Sequence, residues 1–409
     1  MEHSFVFLLF ELSLVLTAAK IGGLVARSIH LPVVLGELFA GVILGNMTYL
    51  GFGFFGEIRN DISLAILAEL GVIILMFEVG VESTVGKLFE VGWNAIMVAI
   101  VGVVVPFLLG FAVVRLFFPD LTLWVDIFLG ATLCATSVGI SARVLKDLGK
   151  VQSPEGRTIL GAAIVDDVLG LMVLTVIVAL IGSTISPGLE ESALAGKVIV
   201  IVLKAFGFLA VGTFLGVIFS KQLYRWAAKL QLRGMLLTLS LTLCFAFAYL
   251  AHIFGLAPII GAFAAGLILE PEHSHIFREQ EKQSLENLLL PLSTIFVPIF
   301  FLHVGMQVDF GALFSFETLI LGLTLSVAAF LGKMACAAAV VTRGVEVDRW
   351  SIALGMIPRG EGGLIFAGIG ATLRFGGVPL LNPGLYAAVI VMVFLTTAIT
   401  PPLLANRLK

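Results

Sequence analysis

Two adjacent carboxylates, Asp166 and Asp167, interrupt a long apolar stretch at 155–183. A charged side chain in the middle of a bilayer costs about 2.5 to 3.5 kcal/mol on insertion scales, so such residues are rare and indicate function. Adjacent residues of a helix point about 100° apart, so these carboxylates face different neighbours and do not form a symmetric pair. The pattern predicts a division of labour: one aspartate pairs with a cation from another helix, and the other faces a water-filled cavity.

Lys333 is the predicted partner, because it lies deep in a second apolar stretch, 316–343, where its ammonium cannot easily reach the membrane surface. Acidic and basic groups that are buried together can load and release protons. A static salt bridge between Asp166 and Lys333, joining two helices, is the alternative interpretation. Asp167 is left without an assigned cation, which favours a transport role for this residue.

Two hydroxyls, Thr136 and Ser137, lie in a third apolar stretch, 123–146, beside Gly139. A fourth, 348–373, contains Pro358, Arg359 and Glu361 among several glycines, so it cannot remain one regular helix. We therefore predict that both helices are broken at matching depth. The broken ends carry partial charges, and Arg359 and Glu361 are the residues predicted to compensate them.

The composition places these stretches in a membrane protein. The chain has 409 residues, of which 59% are hydrophobic and 12% charged, and its mean hydropathy is +1.12; a soluble domain has about 25% charged residues. The net charge is −3 without a dense basic cluster, which argues against nucleic acid as a partner. The three cysteines are too far apart in sequence to suggest a zinc site.

A spanning helix needs about 20 mostly apolar residues, and thirteen windows meet or approach this length. The second and ninth windows are short and could be re-entrant, and the first is interpreted as a retained span, not a signal peptide. The windows are 5–28, 31–45, 62–82, 91–117, 123–146, 155–183, 193–219, 234–254, 256–270, 285–307, 316–343, 348–373 and 383–406.

Basic residues predict the orientation, because Lys and Arg accumulate in cytoplasmic loops. With the N-terminus outside, sixteen of them fall on the inner side and four on the outer side. We therefore expect an outside N-terminus and a cytoplasmic C-terminus, with an odd number of spans between them.

An internal repeat recurs at an offset of 225 residues. The sequence GELFAGVIL at 36–44 aligns with GAFAAGLIL at 261–269, and FEVGVE at 77–82 aligns with LHVGMQ at 302–307. The second copy begins seven spans after the first. Because seven is an odd number, the second copy would have the opposite orientation in the membrane. Inverted repeats of this kind are typical of secondary transporters, whose site lies near the membrane midplane between discontinuous helices.

The chain resembles the monovalent cation/proton antiporters of the NapA type, which are related to the membrane domain of Kef-type potassium efflux systems. The resemblance covers nearly the whole chain and includes Lys333 and five sequence motifs. These motifs are LPVVLGELFAG at 31–41, AELG at 68–71, ATSVG at 135–139, GAAIVDDVLG at 161–170 and RGE at 359–361. It implies an all-α, NhaA/NapA-like antiporter fold of about thirteen transmembrane helices with two broken, crossing helices.

The resemblance also implies roles for the site residues. Asp167 would bind Na⁺ or a proton, Asp166 would pair with Lys333 and take part in Na⁺ binding, and Thr136 and Ser137 would lie beside the site. The Asp-Asp pair combined with Lys333 resembles the electrogenic, sodium-handling members.

A homodimer with an elevator-like motion is expected from the same resemblance. The dimerisation domain would comprise 1–82 and 220–307, the core ion-transport domain 88–183 and 316–406, and a linking helix 193–219. No C-terminal nucleotide-binding domain is expected after the last span.

The predicted function is secondary antiport of a monovalent cation for H⁺ across a bacterial inner membrane, with pH homeostasis as its setting. Na⁺ is the favoured cation, and Li⁺ and K⁺ are alternatives. No enzyme activity and no cofactor are expected. A sodium/solute symporter and a Kef-like K⁺/H⁺ antiporter remain alternatives, whereas an intramembrane aspartyl protease is disfavoured because Gly-x-Gly-Asp is absent.

Overall fold

A computed structural model describes residues 5–29, 31–82, 92–184, 234–269, 284–341 and 347–408, together with separate residues between 200 and 227. Nine helices within these ranges are long and apolar enough to cross a membrane. The prediction of a multi-pass helical membrane protein is therefore confirmed.

Helices dominate the described part of the chain and are numbered here in chain order. They are α1 (Phe5–Ser28), α2 (Val33–Asn46), α3 (Phe54–Arg59), α4 (Ile62–Glu82), α5 (Trp93–Phe117), α6 (Leu123–Thr132), α7 (Val138–Asp147), α8 (Pro154–Thr184), α9 (Met235–Ile253), α10 (Pro258–Ile268), α11 (Leu285–Met306), α12 (Phe310–Leu313), α13 (Phe316–Met334), α14 (Cys336–Ala339), α15 (Arg349–Gly355), α16 (Glu361–Thr372) and α17 (Pro383–Leu408).

Helices occur in twelve of the thirteen predicted windows. The seventh window, 193–219, with its predicted linking helix, lies largely outside the described residues, so the count of thirteen spans stays a prediction. A short 3₁₀ helix, Met47–Leu50, follows α2. A two-stranded antiparallel hairpin, β1 (Arg374–Phe375) and β2 (Val378–Pro379), precedes α17.

The chain divides into two compact units. The first comprises Met1–Leu64, Val91–Ile177 and Phe301–Lys409, and the second comprises Ala65–Glu90 and Val178–Phe300. All the predicted site residues belong to the first unit. The predicted division into a dimerisation domain and a core ion-transport domain stays a prediction.

Close helix crossings at glycine recur at the offset predicted for the repeat. In the first unit, a Cβ added to Gly41 of α2 would clash with the carbonyl oxygen of Leu302. In the second unit, a Cβ added to Gly266 of α10 would clash with the carbonyl oxygen of Phe77. The two glycines are 225 positions apart, and so are the two residues whose carbonyl oxygens they face. Each contact requires a small residue because the backbones touch. The inverted orientation of the second copy stays a prediction.

The fifth and twelfth windows are both interrupted, as predicted. Helix α6 ends at Thr132 and α7 begins at Val138, while α15 ends at Gly355 and α16 begins at Glu361. Only the turn residue Ala335 separates α13 from α14, and its backbone keeps right-handed helical dihedral angles (φ −61°, ψ −21°). The two helices form one apolar span, Phe316–Ala339, and Lys333 lies in its second half.

Candidate functional site

The two predicted interruptions cross each other and share hydrogen bonds. The amide of Ser137 donates to the carbonyl oxygen of Pro358 over 2.8 Å, and the hydroxyl of Thr136 donates to the carbonyl oxygen of Met356 over 3.1 Å. Thr136 and Ser137 are both buried. Backbone groups released from a helix inside a membrane need such partners, so each interruption supplies partners for the other.

Arg359 lies at the broken end of α6. Its Nη1 donates to the carbonyl oxygen of Cys134 over 2.9 Å and also to that of Ala135. The whole residue is buried. The C-terminal end of a helix carries a partial negative charge that a cation stabilises, so the position of the guanidinium agrees with the predicted compensation. Glu361 begins α16, but its side chain lies outside the described part of the chain.

Asp166 and Lys333 form a buried ion pair. The Lys333 ammonium donates to Asp166 Oδ1 over 2.8 Å, and neither side chain is exposed. The second carboxylate oxygen, Oδ2, is buried without a hydrogen-bond partner among the residues that the structure describes. Burying two charges is offset by their attraction only when the geometry is good and the remaining polar atoms are paired. The ion pair therefore forms, but the hydrogen-bonding capacity of its carboxylate is only partly used.

Asp167 differs from its neighbour in burial. It is half-buried on α8, whereas Asp166 is fully buried. This difference is the one expected if Asp166 pairs inside the protein and Asp167 faces a cavity. The ion-binding roles themselves stay predictions.

Gly102 of α5 was missed by the sequence reasoning. A Cβ at this position would lie 3.1 Å from Lys333 Nζ and 3.2 Å from Cys336 Sγ. A glycine inside an apolar helix costs about 1 kcal/mol relative to alanine, and this cost is the signal that such a residue has a packing or functional reason. The chain has 44 glycines, so the signal does not single out Gly102 without the tertiary structure.

No resident metal centre is evident in the described ranges, where no three His, Cys, Asp or Glu residues are grouped closely enough to hold a metal ion. A transported cation would instead meet carboxylates, hydroxyls and the carbonyls of unwound helix segments. Broken helices of transporters offer ligands of this kind to Na⁺.

Comparisons with known proteins agree with this architecture. The family model described as "Sodium/hydrogen exchanger, transmembrane" matches residues 13–406. The high-affinity Na⁺/H⁺ antiporter NhaS3 of Synechocystis is 36% identical over 96% of this chain and 88% of its own length. The Na⁺/H⁺-K⁺ antiporter GerN of Bacillus cereus is 32% identical over 97% of this chain and 95% of its own length.

Among solved structures, the sodium proton antiporter MjNhaP1 of Methanocaldococcus jannaschii has a similar fold. The TM-score is 0.67, with 18% identity, 97% of this chain covered and 95% of the other. At this identity the likeness concerns the fold alone. Because the family model matches nearly the whole sequence and curated relatives are aligned over almost their entire length, the chain belongs to the sodium/hydrogen exchanger family.

Proposed function

We propose that this chain exchanges a monovalent cation, in the first place Na⁺, for H⁺ across the membrane. The observation that carries the proposal is the pair of adjacent aspartates in unlike settings: Asp166 buried against Lys333, and Asp167 half-buried beside it. Membership of the family and the names of NhaS3 and GerN support the choice of ions.

Exchange follows if Na⁺ and H⁺ compete for the same carboxylates. Asp167 holds either ion in a cavity that is open to one side at a time. When Na⁺ arrives, it replaces Lys333 as the cation beside Asp166. Lys333 is displaced and releases a proton. A core with an uncompensated carboxylate crosses the apolar barrier only at high cost, so movement requires a loaded site.

The crossing segments supply further groups to the site. The Thr136 hydroxyl donates its hydrogen to Met356, and a hydroxyl that donates still has lone pairs with which to accept. Its oxygen is therefore available to a cation. Arg359 balances the negative end of α6, so that the broken helix does not compete for the transported ion.

The proposal includes a homodimer, an elevator-like motion of the core, an outside N-terminus and a cytoplasmic C-terminus. The resemblance to the NapA type supports the first two features, and the distribution of sixteen inner against four outer basic residues supports the orientation.

K⁺ is the second candidate for the transported cation. It is favoured by the 32% identity with GerN, whose name includes K⁺. The spacing of charges in the site does not separate Na⁺ from K⁺, because selectivity depends on ligand number and cavity size.

Proton flux in proteoliposomes tests the proposal. Liposomes with an entrapped pH-sensitive dye would receive pulses of Na⁺, Li⁺, K⁺ or choline, with native protein, Asp167→Asn, and the exposed control Asp120→Asn. We expect a response to Na⁺ in the native protein and the control, and none in Asp167→Asn. A response to K⁺ alone would favour the second candidate. Retained Na⁺-dependent proton flux in Asp167→Asn would refute the role of Asp167. The absence of proton flux in native protein with every cation would refute antiport.

A further inference from the structure

A groove with a volume of about 560 Å³ lies within the second compact unit. One wall consists of described helical residues of the predicted linking helix, among them Gly207 and Gly212, and the other includes Phe247 and Leu250 of α9. Val211, which also lines the groove, is 56% exposed. The groove is therefore open at the surface of the chain, where a membrane protein meets lipid.

The position of Lys204 along this groove follows from two contacts with α9. The ring centroids of Phe208 and Phe254 lie 5.9 Å apart. Further along the linking helix, the hydroxyl of Tyr224 shares a hydrogen bond of 2.6 Å with that of Ser240. Later residues of the linking helix thus contact earlier residues of α9, so the two helices run antiparallel. Lys204 comes one turn before Phe208 and therefore lies at or just beyond the end of α9.

The length of α9 shows what this position means in a membrane. The helix has 19 residues, which makes it about 28 Å long, and the hydrocarbon core of a bilayer is about 30 Å thick. Its two ends therefore lie near the two membrane surfaces. The ammonium of Lys204 is at the level of the lipid headgroups, and the groove extends from there into the apolar layer.

The groove has its charge at one end. Among the described residues that line it, Lys204 alone is charged, and all the others except Ser220 are apolar or glycine. A phospholipid has the complementary distribution, with an anionic phosphate at the membrane surface and a long apolar chain below it. Lysines near a membrane surface attract anionic lipids.

The space next to Lys204 is open. A Cβ added to Gly207, which lines the groove three residues further on, would have no neighbouring atom within 4 Å. A Cβ added to Gly212 would lie 3.7 Å from the ring of Phe247, an ordinary contact. The wall near Lys204 therefore leaves room for a ligand, and larger side chains at Gly207 would occupy that room.

We propose that this groove binds an acyl chain of an anionic phospholipid, whose phosphate is bound by Lys204. The site lies on the second compact unit, whereas the two aspartates and Lys333 lie on the first. The proposal does not depend on antiport. A helix of a second copy of the chain is the other occupant to test, but it would have to place an acidic group opposite Lys204.

Native mass spectrometry of the purified full chain tests the headgroup. The protein in detergent would receive equal amounts of phosphatidylglycerol and phosphatidylcholine with identical acyl chains. We expect native protein to retain phosphatidylglycerol about fivefold better, the preference that one lysine near an anionic headgroup provides. Lys204→Met should abolish this preference, Lys204→Arg should keep it, and the exposed control Lys150→Met should not change it.

Gly207→Leu tests the acyl chain. Its side chain would fill the space beside Lys204, so retention of both lipids should fall severalfold, while Gly207→Ala should retain them nearly as well as native protein. Because a Cβ at this position meets no neighbour within 4 Å, both variants should keep the native melting temperature in detergent without added lipid.

The outcomes separate the occupants. Equal retention of the two lipids by native protein, or a preference that survives Lys204→Met, would refute recognition of the anionic headgroup by Lys204. Unchanged retention in Gly207→Leu would place the lipid elsewhere and overturn the proposal. A dimer that retains no lipid and dissociates in Gly207→Leu would show that a second copy covers the groove. Proton flux in proteoliposomes is a separate measurement, so the lipid site and the antiport function can fail independently.

Discussion

Two buried polar regions of the first compact unit differ in how completely their hydrogen bonds are made. Around Asn46, at the end of α2, the side-chain amide donates to the carbonyl oxygens of Val42 and Val308, each over 2.7 Å. Its oxygen accepts from the amide of Phe310 over 2.8 Å. Every polar atom of this side chain is paired.

The region around the two aspartates is different. Asp166 Oδ2 and the Nε and Nη2 atoms of Arg359 are buried without hydrogen-bond partners among the described residues. Buried polar groups in native proteins are nearly always paired, and each exception calls for an explanation. The proposed exchange would account for these exceptions, because a site that bound a cation and then a proton could not keep all its groups paired in one state.

The comparison teaches that polarity inside the membrane does not by itself mark function. A fully paired network such as that of Asn46 gives rigidity and specifies one structure, whereas unpaired polar atoms in the interior are costly. The two regions should therefore respond differently to mutation, in stability and in transport.

The largest expected effect is at the ion pair. Lys333→Met should lower the free energy of unfolding by about 3 to 5 kcal/mol, because it leaves the charge of Asp166 buried and uncompensated. Thermal unfolding in detergent measures the change. Asp166→Asn in the same background should recover much of the loss, and the exposed control Lys150→Met should change little. Unchanged stability in Lys333→Met would show that the pair is not a buried ion pair.

A smaller effect is expected at the satisfied network. Asn46→Ala leaves the Val308 carbonyl and the Phe310 amide without their partner, which should cost about 1 to 3 kcal/mol of stability. The apparent KM for Na⁺ in proteoliposomes should remain native, because this network contains none of the residues proposed to bind the transported ions. Asn60→Ala, which removes one exposed bond to Gly56, is the control. A changed KM in Asn46→Ala would break the contrast between the two regions.

The smallest effect concerns a paired carboxylate at the residue just before α15 begins. Burial raises the pKa of Asp348, but hydrogen bonds from Arg407, from the Ser351 hydroxyl and from the Trp350 amide outweigh it and hold the pKa below its ordinary value. A carboxyl with a lowered folded-state pKa stabilises the protein above its unfolded pKa, and this contribution disappears as pH falls through the folded pKa.

Asp348→Asn should therefore lower stability at pH 7 and not near pH 2. The effect at pH 7 should stay within about 1 kcal/mol, since the Asp348 and Arg407 side chains are 34% and 47% exposed and solvent screens the pair. Melting temperatures of native protein and variant at both pH values provide the test. A difference that persists at low pH would mean that the carboxylate charge is not what stabilises this helix start.

Much of the fold was predictable from local sequence. Runs of about 20 apolar residues fold as helices in a membrane, so the predicted windows in the described part of the chain matched helices to within a few residues. The interruption of α15 and α16 was predictable because proline and clustered glycines cannot remain helical. The single turn residue Ala335 between α13 and α14 was not, because the sequence around it contains neither proline nor a turn signal.

The sequence by itself determined the class of the protein, the positions of most helices, the 225-residue offset and the residue types of the site. These depend on hydrophobic length and on the cost of placing a charge in a bilayer, which are properties of short segments. Lys333 was also predicted as the partner of the aspartates, and the structure confirms its contact with Asp166, 167 positions away. Only the tertiary structure decided which carbonyl oxygens Arg359 reaches at the end of α6, and that Gly102 lies beside the pair. Such contacts depend on how separate helices pack against one another, and no local pattern encodes that packing.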